Sequence, residues 1–195
     1  GVTIRHKDLE QSHVCLGTSG YRQDHADRYA SYALNTVLGG SMSSRLFQNV
    51  REKRGLAYAV FSGLSAYRDT GTMTVYAGCA NDAVSELIDV VVAELRRIKD
   101  EPLGDAELQR AKDHLKGSLM LNLESTSSRM SHMARQEIYF EQQQDLDETL
   151  EGVGRVTHED VQRVARDLFA EGQLAATVVG AVDGLTIPAE RLSLG

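Results

Sequence analysis

The chain has 195 residues, of which 42% are apolar and 25% charged, and a net charge of −7. This is the size and balance of one folded domain with its own core, able to bury roughly 70% of the surface its unfolded chain exposes. The negative charge speaks against nucleic acid or an anionic membrane as a general partner, and no stretch approaches the run of about eighteen apolar residues that a membrane span needs.

The opening GVTIRHKDLEQSH has no apolar segment of the signal-peptide kind. Nothing in the residues assigns a compartment, cytoplasm or periplasm. QSHVCLG then alternates loosely and ends in turn residues, which predicts a strand over residues 11–17. In DHADRYASYALNTVLGG, Ala30, Ala33, Leu34, Val37 and Leu38 share one helical face, and Gly39 and Gly40 end the helix. The glycine pair reads as backbone freedom or close packing at that helix end. Ser43 or Ser44 is placed to cap a shorter helix that runs to about Arg54 and stops at Gly55.

From Leu56 the apolar period changes. LAYAVFSGLSAY, the turn-like RDTG and TMTVYAGCA predict a β-hairpin. Asn81 or Asp82 is expected to cap an amphipathic helix whose buried face is Val84, Leu87, Ile88, Val91, Leu95 and Ile98. DEPLGD breaks it, and Leu108, Ala111, Leu115 and Leu119 mark the next helix. Residues 125–150 read as a polar helical stretch with Met130, Met133, Ile138 and Tyr139 as its apolar contribution. Thr157 and Asp160 form an acidic variant of a capping box, flanked by Val156 and Val161 as a staple, and LAATVVGAV closes as a buried strand. The order β-α-α-β-β-α-α-α-α-β describes one α+β domain with helices packed on one face of a mixed or antiparallel sheet. Cys15 and Cys79 sit in apolar runs and read as buried free thiols, although a bridge between them stays open on sequence alone.

A self-contained catalyst is not visible. No two of the six histidines lie three or four residues apart, so no helical metal pair is present. His158 sits in a helix first turn, His114 reads as a packing histidine, and LGGS has the wrong spacing for a phosphate loop.

The stretch LGGSMSSRLFQNVREKRGLAYAVFSG, residues 38–63, closely resembles the non-zinc C-terminal domain of M16 metallopeptidases, the family of pitrilysin, insulinase and mitochondrial processing peptidase. QSHVCLG, TGTMTVYAGCA, DAELQRAKDHLKGSLMLNLES and LAATVVG are similar to further elements of that domain, so the resemblance covers residues 11–182 of a single domain spanning 1–195. It implies one half of a clam-shell zinc endopeptidase. No cofactor is then expected in this chain, and zinc belongs to a complementary N-terminal half that carries HxxEH, on the same polypeptide or on a partner subunit in a homodimer or heterodimer. The partner chemistry is a peptide or protein substrate.

The resemblance also implies roles for Arg51 and Tyr58, seven residues apart, as donors to the substrate carbonyl and the oxyanion. Spacing alone would leave Arg51 a solvated charge and Tyr58 a strand aromatic. With the helix stopping at Gly55, however, both side chains can be aimed at one point, and a guanidinium offers forked, permanently charged donors. Arg45, Lys53 and Arg54 read as surface or interface charges. An exposed hairpin edge would add a peptide as an extra strand, although the sequence does not say which strand is the edge. The isolated chain is expected to be inactive. The alternative is a catalytically silent structural or partner subunit of the same superfamily.

Overall fold

The computed structural model describes residues 1–195. Five strands, β1 (Val2–His6), β2 (Ser12–Gly20), β3 (Ala57–Ala66), β4 (Gly71–Cys79) and β5 (Ala175–Gly180), form one sheet in the order β1-β5-β2-β4-β3. β1 runs parallel to β5, and every other neighbouring pair is antiparallel. The helices are α1 (Arg28–Leu38), α2 (Val84–Asp100), α3 (Asp105–Asn122), α4 (Thr126–Phe140), α5 (Leu146–Arg155) and α6 (His158–Leu168), with a π-helix over Phe47–Glu52.

The period-2 pattern decides which face of the sheet is covered. Val14, Leu16, Met73, Val75, Ala77, Ala176 and Val178 are all buried, and they meet the apolar stripes of α1, α2 and α6 in one core. His13, Phe61, Thr72 and Thr177 alternate with them and face solvent. The α+β class with helices on one sheet face is therefore the observed architecture. No helix is long and apolar enough to cross a membrane.

Local expectations hold in most places. The hairpin forms as read, all six residues of the α2 stripe are buried, and the capping box is complete: Thr157 N–H donates to Asp160 at 2.9 Å and Asp160 N–H donates to Thr157 Oγ1 at 3.1 Å. Gly39 is a packing glycine, because a Cβ there would lie 2.4 Å from the Ser62 backbone nitrogen. Both cysteines are free thiols.

Other expectations are corrected. β1 lies in the opening stretch, where no element was expected, and it extends the sheet beyond β5. Residues 125–150 form two helices, and Met130, Met133 and Ile138 are at least half exposed, because α4 buries only Gln136. His114 is exposed, since the second half of α3 runs past the core and has no layer to pack beneath. Asn81 does not cap α2. Its side chain accepts from Ser12 Oγ at 2.7 Å and donates to Leu9 O at 3.3 Å, which ties the start of β2 to the turn after β4. Neither Ser43 nor Ser44 supplies a side-chain cap: Ser43 meets Ser41, and the Ser44 hydroxyl is buried without a partner.

Candidate functional site

The segment between α1 and β3 builds a corner. After Ser44 the chain turns helical, and over Phe47–Glu52 it widens into a π-helix, with Lys53 N–H donating to Gln48 O. Single π-turns are uncommon and occur often at functional sites. Gly55 ends this helix with φ +63°, a conformation that only glycine adopts without strain, and its N–H donates to Arg51 O at 3.1 Å. The chain then enters β3 with an irregularity of register: Ala57 faces Cys79 and Ala59 faces Gly78, which leaves Tyr58 as the extra residue of a bulge. A bulge re-aims the side chain it carries and is common next to active sites.

The outcome is that Arg51 and Tyr58 meet. The Arg51 guanidinium carbon lies 5.2 Å from the Tyr58 ring centre and 4.7 Å from that of Phe47. Two aromatic faces thus hold the cation, each at the distance of a cation–π contact worth about 0.5–1 kcal/mol where solvent is present. Its only ion-pair partner is the adjoining Glu52 at 3.7 Å, so its donors are not consumed within the chain. Tyr58 is 79% exposed, and β3 is an edge strand of the sheet. Toward the sheet interior the same open face continues as Phe61, Tyr76 and His13. Phe61 and Tyr76 are 5.1 Å apart, and the Tyr76 hydroxyl meets His13 Nδ1 at 2.7 Å.

Phe47, four residues before Arg51, was not singled out in the sequence, although that spacing alone puts the two on one helical side. Arg45 differs from its expected surface role. Its Nε and Nη2 donate to the two oxygens of Glu107, both at 2.8 Å, and its side chain is only 13% exposed. Lys53 and Arg54 do lie at the surface. No three His, Cys, Asp or Glu side chains converge in a way that would hold a metal ion, so the residues of this chain do not fit zinc.

The family described as peptidase M16 inactive domain matches residues 1–115. The chain belongs to the M16 peptidase inactive-domain family. It is 42% identical over 174 residues to the uncharacterized zinc protease YmxG of Bacillus subtilis, covering 89% of this chain and 42% of that protein. Among solved structures, a protease from Helicobacter pylori superposes with a TM-score of 0.78 at 25% identity, over 92% of this M16 domain and 43% of that chain. A peptidase M16 inactive domain from Pseudomonas fluorescens has the same fold, with a TM-score of 0.80 at 22% identity over 96% of this domain and 45% of that chain. The domain spans about two-fifths of the length of the zinc proteases it matches, 42% and 37% for the Bacillus and Streptomyces relatives.

Proposed function

We propose that this domain is the substrate-binding half of a zinc metalloendopeptidase, in which Arg51 and Tyr58 bind the peptide and stabilise the tetrahedral intermediate. The metal chemistry belongs to a complementary zinc-bearing half, on the same polypeptide or on a partner subunit. A peptide laid along the β3 edge would bond main chain to main chain beside Tyr58. Arg51 would donate to its carbonyl, and the Tyr58 hydroxyl would add a neutral donor. Both would gain strength as negative charge develops on that oxygen. The observation that carries this reading is the convergence of Arg51 on Tyr58 at an exposed corner, with the Arg51 donors free.

The test is zinc content and peptide cleavage, measured first on the 195-residue chain alone and then on the complete protein with Arg51→Ala and Tyr58→Phe. The expected result is a metal-free, inactive domain and, in the complete protein, a loss of about 100-fold in kcat for each variant, or about 3 kcal/mol of transition-state stabilisation. Near-stoichiometric zinc with cleavage by the domain alone would overturn the division of labour. An active complete protein indifferent to both substitutions would remove the role of the pair. A complete protein without hydrolytic activity would favour the silent-subunit alternative.

A further inference from the structure

The helical layer is loosely filled around α4. Only Gln136 of that helix is buried, and its amide holds the following turn by donating to Gln144 O at 3.1 Å and accepting from Gln144 N–H at 3.3 Å. Between α1, α3, α4 and α5 this leaves an open cavity of about 370 Å³, within the range of ligand pockets. It lies on the helical layer and includes neither Arg51 nor Tyr58.

The chemistry of its walls is one-sided. Among fifteen lining residues there are two arginines, Arg28 and Arg135, and no aspartate or glutamate, in a chain whose net charge is −7. Neither arginine forms an ion pair. Arg28 is held in place: its guanidinium carbon lies 4.4 Å from the Tyr29 ring centre and 5.1 Å from that of Phe140. Its Nη2 donates to the Tyr29 hydroxyl at 3.0 Å and to Gln144 Oε1 at 3.3 Å, while Nε and Nη1 have no partner in the protein. Tyr32, whose hydroxyl pKa burial raises above the ordinary value, adds a further ring to the wall.

An arginine without a carboxylate, fixed by aromatic stacking at the wall of an apolar-sided cavity, suits an anion better than any neutral occupant. We propose that this cavity binds a small organic anion, a flat apolar body bearing one carboxylate or phosphate group. The body packs against Tyr29, Tyr32 and Phe140, and the anionic group takes the free donors of Arg28 on α1 and Arg135 on α4. Such a ligand ties α4 to the body of the domain.

The experiment is calorimetric titration of the 195-residue chain with phenyl phosphate, benzoate and neutral benzyl alcohol, alongside amide chemical-shift mapping. At least one anion is expected to bind saturably and about tenfold or more tighter than the alcohol, with shifts concentrated in α1 and α4. The stronger of the two anions distinguishes a phosphate from a carboxylate ligand. Arg28→Gln removes the cation while leaving a polar side chain, and is expected to weaken that anion about tenfold. Arg135→Glu changes an exposed side chain that the fold does not bury, an unchanged circular-dichroism spectrum checks its fold, and the expected loss is larger still. The proposal is overturned if neither anion saturates by about 10 mM, if the alcohol binds as well as the anions, or if Arg135→Glu leaves the Kd unchanged.

Discussion

Arg45, just ahead of the π-helix, grips Glu107 in the first turn of α3 through two parallel hydrogen bonds of 2.8 Å. The pair fastens the helix that carries Arg51 to the helical layer. It is an incompletely compensated pair, because Arg45 Nη1 is buried without a partner. Removing one member should therefore cost more than the pair is worth as a whole. Arg45→Met, which leaves the Glu107 carboxylate unpaired in a half-buried setting, is expected to lower stability by about 2–3 kcal/mol. The double variant Arg45→Met/Glu107→Leu is expected to recover most of that loss. Urea midpoints at unchanged slope check both, and a double variant no better than the single one would contradict the expectation.

The same pair predicts an acid-side signature. Hydrogen bonding from Arg45 holds the Glu107 carboxyl below its ordinary value, against the opposing effect of burial. A carboxylate whose folded pKa is depressed stabilises the native state above its unfolded pKa, and that contribution fades as pH falls through the folded value. The stability gap between the wild type and Arg45→Met should thus be constant above about pH 5.5 and shrink below about pH 4. A gap that persists unchanged to about pH 3 would mean that Glu107 is not the group titrating against Arg45.

Gly39 ends α1 with φ −155°, outside the left-handed region, so its requirement is space rather than backbone freedom. Its carbonyl accepts from Ser62 N–H at 3.2 Å, and a Cβ would stand 2.4 Å from that same nitrogen. Gly39→Ala must push α1 away from β3, at an expected cost of about 2–3 kcal/mol. At Gly63, one residue along β3 from that contact, a Cβ would meet nothing within 4 Å. Gly63→Ala should change stability by no more than about 0.5 kcal/mol. Thermal or urea unfolding of the two variants side by side makes the comparison.

What could be read from residues alone follows the range of the interactions. The Thr157–Asp160 box, the α2 stripe and the β3–β4 hairpin are local patterns, and they appear where the sequence places them. Arg51 and Tyr58 meet because a single glycine corner separates them, which short-range logic can anticipate. The misses need distant partners. β1 is half exposed and exists because residues 176–180 supply its neighbour. Arg45 looks like any surface cation until α3 brings Glu107 to it across 62 residues. The bulge that frees Tyr58 and the widening of the helix under Arg51 are register effects, and hydrophobic periodicity carries no trace of either. Met130 and Met133 have the spacing of buried residues on a helix that has nothing to bury them against.

The two cysteines differ in accessibility because β2 and β4 present them to opposite faces. Cys79 is 2% exposed, pairs with Ser12 and points into the helical layer, whereas Cys15 lies opposite Tyr76 on the open face and is only half-buried. Burial pushes the Cys79 thiol up to about 11. At pH 8 its thiolate is then on the order of one part in a thousand, and no reagent reaches it without opening of the sheet. A thiol reagent added to the native domain should consume one equivalent quickly and the second only at the rate of unfolding, while a urea-unfolded sample should give two at once. Cys15→Ser should abolish the fast phase. Two equally fast equivalents in the native domain would place Cys79 at the surface and contradict its burial in the core between sheet and helices.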